Sequence, residues 1–524
     1  MTTKDYLATF GVSLKQAYDY IMANLANAQL IHSTSLAYRL GISQLTDIVT
    51  TYEPLITRQQ VENYFVTNGL STAALDQAQS AIARYNQQQN GVATNLMLSA
   101  NHIIVASLDS NYQWQNANLT YAFNISIPSD YYGQAADSSL YGNLTTAWQA
   151  PNAALKNAFT PMMQQIDAII APSVAQSSNA LLADMRVNQL PTTSQVAAFA
   201  YYPGGGVGGD VFVDSRTTEF VKGGYNYFTL VHELGHALGL KHPFEGANRL
   251  PLNQDNTVTS VMSYTEYQYL QPIFKQVGRS LTVEYDTVMP TMFMVNDIAA
   301  LHSIYGAQLT THSEDTVYRF LPSGVSQASA DPNTIIISLP SYTTIWDAGG
   351  TDTLDFSATT LPNRIDLTSG NYSNIQVATV DEQIISQQQS IQAQLSTGFY
   401  NSFIAESYQK YAKDIYTGER ALGIAYGVVI ENVVGGTAND VIIDSFVDNR
   451  LFGGAGDDAF YLGAGGYDYI DGGNGNDIVF VLSSSIQANW FKVSADITLL
   501  LTSNVAAELV GVEQVHFNDL LIIL

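Results

Sequence analysis

His232-Glu233-Leu234-Gly235-His236-Ala237-Leu238-Gly239-Leu240-Lys241-His242 is the stretch that decides how this chain is read. On a helix, His232 and His236 stand four residues apart, so both imidazoles project from one face. Two nitrogens so placed can share a zinc ion at about 2.0–2.1 Å each. Glu233 then lies beside the metal without being forced to ligate it. Gly239 permits the left-handed turn that ends a helix, and His242 can swing back as a third ligand. A three-histidine set leaves a position open for water, the form taken by catalytic zinc. A helix that merely carries surface histidines is the plain alternative. A second segment, Ser260-Val261-Met262-Ser263-Tyr264, lies downstream of the histidines.

The two segments together resemble the metzincin pattern of three histidines followed by a Met-turn. Ser260 to Tyr264 is similar to the Met-turn of the serralysins. That resemblance implies that Tyr264 is an additional zinc ligand beside His232, His236 and His242. It also implies that Tyr264 swings off the metal to hydrogen-bond the tetrahedral oxyanion while Glu233 acts as general base. Residues 296–301 and 304–307 look like the serralysin segment that closes the catalytic domain. Ala198, Phe199, Ala200 and Tyr201 resemble the substrate-lining edge strand, with residues 208–211 as its neighbour. An extended peptide would pair with that edge by backbone hydrogen bonds. The resemblance covers roughly residues 100–485 and implies one catalytic Zn2+ and protein or peptide substrates.

Residues 435–443, Gly-Gly-Thr-Ala-Asn-Asp-Val-Ile-Ile, fit the nonapeptide of calcium-binding parallel β-helices, and 453–461 and 472–480 fit it again. Degenerate copies lie between, at 444–452 and 462–471. Glycines permit tight turns that aim carbonyls inward, aspartate supplies charge, and alternating apolar residues form strands that stack on the next coil. The expected ligands are Asp440, Asp458 and Asp477 with the carbonyls of Gly436, Ala438, Gly454, Gly456, Gly473 and Gly475. Gly-rich hairpins without metal are the alternative. Three good copies suggest a short roll. Residues 346–356, 364–367 and 427–432 are also close to serralysin wording. By that analogy one calcium uses Asp347, Gly349 and Asp352 with carbonyls near His312, Glu314 and Thr316, and another uses Glu431 with the carbonyls of Gly350 and Val429. Several structural Ca2+ ions are therefore expected.

The chain carries 46 Asp and Glu against 20 Lys and Arg, a net charge of −26. That balance argues against nucleic acid as a partner, because phosphate binding needs a basic face. A solvated acidic surface would account for the charge. The recurrence of aspartate in the repeats favours carboxylates held for calcium. There is no cysteine, so disulfides and thiolate latches are excluded. No apolar run reaches the length of a membrane span. The N-terminus lacks the basic and apolar regions of a Sec-type leader. The chain is then cytoplasmic, or it leaves by a route that does not read the N-terminus. Residues 518–524, a carboxylate followed by aliphatics, resemble an uncleaved C-terminal type I secretion signal, although a buried last strand reads the same way.

The expected architecture is α+β: a helical N-terminal module at 1–95, a metzincin α/β catalytic domain at 96–310, a calcium-binding parallel β-roll at 311–484 and C-terminal strands with the secretion signal at 485–524. In the first module Leu14, Tyr18, Ile21, Met22 and Leu25 lie on one helical face behind Ser13, and residues 57–60 have the form of a capping box. Strands are expected at 119–125, 196–202 and 210–214, and a Gln-rich helix at 381–395 within an insertion near 374–416. This insertion, the long N-terminal module and the segment after the roll all depart from the serralysin pattern. The functional expectation is a secreted, extracellular zinc endopeptidase exported by type I machinery. The competing one is a surface-associated calcium-binding adhesion or structural protein on a metalloprotease scaffold. The N-terminal module is read as a docking or stability domain, a candidate for cell-surface association, rather than as an inhibitory segment.

Overall fold

The fold is taken from a computed structural model. It describes residues 102–131, 147–192, 196–322, 325 and 329–524, with Gln16, Ala17 and Asp19. The last span has short gaps at 464, 483–484, 486–487, 493–496 and 503–504. The helical module expected at 1–95 therefore lies outside the described residues, apart from those three.

Helix α1 (His102–Leu108) leads into a five-stranded sheet. Its strands are β1 (Asn118–Phe123), β2 (Ser173–Gln176), β3 (Met185–Leu190), β4 (Ala198–Ala200) and β5 (Val211–Asp214), in spatial order β2-β1-β3-β5-β4. All neighbours are parallel except β4, which pairs antiparallel with β5 and forms one edge. β4 and β5 are shorter than the sequence suggests, because the chain between them turns out of the ladder at residues 203–209.

Helix α2 (Ala153–Asp167) begins at Asn152, whose side chain accepts the Leu155 N–H at 2.8 Å and so satisfies an orphan donor of the first turn. Its Leu155, Phe159, Met162 and Ile166 face inward and are buried. Helix α3 (Tyr225–Ala237) is apolar on most of its surface. Leu230, Val231 and Leu234 are fully buried, so this helix is held on several sides at once. Helix α4 (Val295–Tyr305) packs beside α1.

A long hairpin, β6 (Leu270–Val277) and β7 (Ser280–Thr287), follows the Met262 turn. Residues 374–416 pack against it. They contain helix α5 (Val380–Leu395), where the Gln-rich helix was expected, and a second helix α6 (Asn401–Lys410) that the sequence did not announce. Leu281, Ile384, Ile391, Ile404, Tyr408 and Ile415 form a separate small core there.

The C-terminal half consists of stacked parallel strands. One ladder runs through Val317–Leu321, Thr353–Asp355, Asn432–Val434, Arg450–Ala455, Tyr467–Asn474 and Ala506–Val510. The other runs through Arg364–Asp366, Val441–Ile443, Ala459–Leu462, Ile478–Val481 and Gln514–Phe517. The roll is thus longer than three good repeats imply. It takes in coils on both sides that lack the glycine pattern but keep the inward aliphatics, among them Leu354, Ile365, Leu509 and Val515, all buried. The strand Leu521–Ile523 pairs antiparallel with Gln514–Phe517, with Leu521 and Ile523 exposed.

A line of carboxylates joins successive coils. Asp440 accepts the Asn363 N–H at 2.8 Å, Asp458 accepts the Asp440 N–H at 2.7 Å, Asp477 accepts the Asp458 N–H at 2.8 Å, and Glu513 accepts the Asp477 N–H at 2.7 Å. The two halves of the chain share one hydrophobic core that extends from Ile104 to Phe517.

Candidate metal centre

Helix α3 presents His232 and His236, and the chain reverses just beyond it. The Leu240 N–H donates to the Gly235 carbonyl at 2.8 Å, and Gly239 takes φ +95°, a left-handed conformation open to glycine at little cost. A side chain at Gly239 would also overlap the Tyr112 carbonyl. This turn returns His242 to the helix face. Its Nε2 lies 3.1 Å from Nε2 of His236 and 3.3 Å from Nε2 of His232.

The far side of each ring is held. His232 Nδ1 lies 2.7 Å from the Val261 carbonyl, His236 Nδ1 2.8 Å from the Leu240 carbonyl, and His242 Nδ1 2.7 Å from a Glu245 carboxylate oxygen. All three partners are acceptors, so each Nδ1 carries the proton and each Nε2 turns a lone pair toward a common point. Burial pushes His232 down to about 4, and burial with the neighbouring histidines pushes His236 down to about 3. These two rings are therefore neutral, as ligands must be. Among the described residues this is the one cluster of three His, Asp or Glu side chains whose ligand atoms all lie within 4.8 Å of one another. Three converging imidazole nitrogens fit a single zinc ion.

Around this triad sit the other residues singled out in the sequence. Glu233 is buried; burial pushes its carboxyl up to about 8, opposed by the backbone N–H of Ala200 on β4. Edge strand and glutamate are thus in contact. Met262 is buried under the helix, and a Cβ at Gly235 would overlap its sulfur. The Tyr264 ring lies 5.6 Å from that of His232 and 4.5 Å from that of His242, while the residue is 65% exposed. Tyr264 is therefore beside the triad and open to solvent. Ala198 and Phe199 are buried, whereas Ala200 and Tyr201 are partly open.

Two contributors were not singled out. Glu245 orients His242, and Phe244 stacks on the same ring at 5.1 Å. Their proximity to His242 in sequence was the available signal. A buried ion pair was likewise not singled out. Arg186 on β3 and Asp210 beside β5 meet at 2.8 Å, with side chains 3% and 0% exposed. Arg186 also donates to the Gly206 carbonyl at 2.6 Å, which pins the turn that ends β4.

The expected calcium positions fall at the turns of the roll. Asp347 accepts from the Gly349 N–H and the Tyr318 hydroxyl, and Asp352 from the Thr316 N–H. Glu431 accepts from the Asp352 N–H, placing it with that group, while His312 contacts the Trp346 carbonyl and Tyr318. Val428 and Ile430, flanking Val429, are buried, and Glu314 closes on Gly350 through its carbonyl. One oxygen each of Asp352, Asp458 and Asp477 is buried without a hydrogen-bond partner. Burial pushes Asp458 up to about 7, Glu431 to about 8 and, with the Asp347 charge, Asp352 to about 9. Gly454 and Gly473 adopt φ +102° and +91°, and a Cβ on either would overlap the Gly436 or Gly454 carbonyl of the preceding coil. Ala438 and Gly456 stack in the same way, as do Gly456 and Gly475. Orphaned carboxylate oxygens facing close-packed carbonyls fit a hard cation that prefers oxygen ligands.

A mixed fold with a three-histidine cluster over a buried methionine defines a metzincin-type metallopeptidase scaffold. The family model for matrixin matches residues 113–250, and that described as "Peptidase M10 serralysin C terminal" matches 307–393 and 399–497. The chain is serralysin-like on both sides of the join. Serralysin G of Dickeya chrysanthemi is 32% identical over 273 residues, covering 50% of this chain and 46% of that protein. Serralysin B of the same organism is 31% identical over 343 residues, covering 60% and 59%. Metallopeptidase AprA of Pseudomonas marginalis is 32% identical over 275 residues, covering 49% and 46%. The chain spans about half the length of the curated relatives it matches. No helix among the described residues is long and apolar enough to cross a membrane.

Proposed function

We propose that this chain is a secreted zinc-dependent endopeptidase that cuts proteins within extended segments. The observation that carries the reading is the convergence of three Nε2 atoms whose Nδ1 partners are all acceptors. His232, His236 and His242 would hold the metal, with Tyr264 as a further ligand. Zinc held there would acidify water and polarise a carbonyl. Glu233, enclosed beside β4, takes the proton of the attacking water and hands it to the leaving nitrogen. The Tyr264 hydroxyl donates to the oxyanion as charge develops on it. The edge strand β4, through Ala198 to Tyr201, pairs with the peptide backbone and lays the scissile bond across the histidines.

Calcium at the turns of the roll would be held by Asp440, Asp458 and Asp477, and by Asp347, Asp352 and Glu431, with the neighbouring carbonyls. Export through type I machinery accords with this reading and with residues 518–524, a carboxylate followed by aliphatics. A casein zymogram with and without chelator tests it. Clearing that is abolished by chelator and restored by zinc with calcium is expected. Clearing that survives chelation would contradict it, and its absence under every condition would favour a binding protein on the same scaffold.

A further inference from the structure

Beside the triad, two tyrosines from distant parts of the sequence lie face to face. The rings of Tyr112 and Tyr202 are 5.7 Å apart with an interplanar angle of 2°. The Tyr202 ring in turn meets His236 edge-on at 5.5 Å. The outer ring, Tyr112, is 56% exposed. An exposed aromatic is unremarkable when it is loosely attached, but this one is fixed. The Ser110 N–H donates to the Gly239 carbonyl at 3.0 Å, and the Tyr112 N–H donates to the Ser110 hydroxyl at 3.2 Å. Two residues on, the Trp114 indole donates to the Ala237 carbonyl at 3.0 Å. Tyr202 is fixed as well, since the Gly209 N–H donates to its carbonyl at 3.0 Å. A rigid flat ring held open to solvent is prepared for a partner at low entropic cost.

The direction of the edge strand says which part of a substrate would meet it. Tyr202 lies two residues past the C-terminal end of β4. Antiparallel addition is the more stable pairing. A peptide added to β4 in that sense presents its N-terminal side at Tyr202, with the bond to be cut lying toward Ala200, whose N–H meets Glu233. We propose that Tyr112 and Tyr202 form a stacking shelf that selects an aromatic side chain within three residues on the N-terminal side of the bond that is cut. The proposal rests on the endopeptidase reading for its register, and deepens it by naming a preferred substrate class.

Binding can be read without turnover. Acetylated tripeptides with a free carboxylate, carrying Phe or Ser at the first or second position, represent the N-terminal side of a cut peptide. Tripeptide amides with free amino groups represent the other side. Their affinities for the full chain, supplied with zinc and calcium, are measured by calorimetry. The acetylated Phe peptides should bind about three- to tenfold more tightly than the Ser peptides, the worth of one aromatic stack. Tyr112→Ser should abolish that ratio and Tyr112→Phe should keep it, while the amides show no aromatic preference. Equal affinity of Phe and Ser peptides for the unaltered chain overturns the shelf. So does a ratio that survives Tyr112→Ser, or one confined to the amides. If the ratio behaves as expected and casein is still not cut, the shelf stands and the endopeptidase reading falls.

Discussion

Asp297 of α4 accepts a hydrogen bond from the Ser260 hydroxyl at 2.6 Å, and so ties that helix to the turn beneath the histidines. Its second oxygen accepts the N–H groups of Val261 and Met294 at 2.8 and 2.9 Å. The carbonyl of the same Val261 holds His232. One buried carboxyl thus sets the Met262 turn and, through it, the first histidine.

Asp297→Ala should cost on the order of 3 kcal/mol or more, because it strands three buried donors. Burial pushes the Asp297 carboxyl from its ordinary 3.8 up to about 7, against those three donors. The folded chain therefore holds a proton that the unfolded chain releases between those values. This contribution to stability is complete below about 3.8 and is lost as pH rises through about 7. Asp297→Asn should flatten that part of the profile. Urea midpoints at several pH values check this, and identical slopes for the two proteins would contradict it.

Glu233→Ala should keep zinc, since the three histidines remain, and lose nearly all peptidase activity. His236→Ala should lose the metal too. Elemental analysis alongside a peptide assay separates the two outcomes. An active Glu233→Ala protein would remove this residue from the role of base.

Tyr264→Phe should lower kcat much more than it alters KM, because the hydroxyl acts chiefly in the transition state. The ring contacts with His232 and His242 survive the change, so packing is preserved. A pure KM effect would place Tyr264 in substrate binding instead.

Gly235→Ala should destabilise the site because its methyl would overlap the Met262 sulfur. Gly235→Ala combined with Met262→Ala should recover part of that loss, which thermal melting of the three variants would show. Additive losses would mean that the two positions do not compete for space.

Removing calcium from the full chain should unfold much of the roll, since buried carboxylates would lose their counter-charge. Circular dichroism with chelator and then with millimolar calcium checks it. Superimposable spectra would argue that the stack stands on apolar packing alone.

The histidine cluster was legible because its geometry is local: two residues on one helical turn, a glycine that reverses the chain, and a third residue six positions on. The aspartates of the good repeats were legible for a similar reason, as glycines flank them at fixed offsets. What escaped depends on residues far apart in sequence. Asp297 resembles any first-turn acid until Ser260 is placed against it. Tyr112 and Tyr202 are ninety positions apart. The roll's extension past residue 484 escaped because Ala506–Val510 and Gln514–Phe517 lack the glycine pattern and join the ladders only through pairing with Tyr467–Asn474 and Ile478–Val481. Helix α6 escaped because its buried residues are few, Ile404, Ser407 and Tyr408, and they face a hairpin rather than the main core.

The line of carboxylates through the roll gives the stack a polarity. Each coil's backbone donor is satisfied by the acid of the coil that follows it in sequence, from Asn363 through Asp440, Asp458 and Asp477 to Glu513. The two ends are therefore not equivalent. A coil removed from the C-terminal end exposes a bare donor on the coil before it, whereas one removed from the other end leaves an acid that water can solvate. Glu513, outside every recognisable repeat, is the stop on which the column rests. Its replacement by alanine should therefore loosen the Asp477 coil before any other, which amide exchange of successive coils would reveal in order.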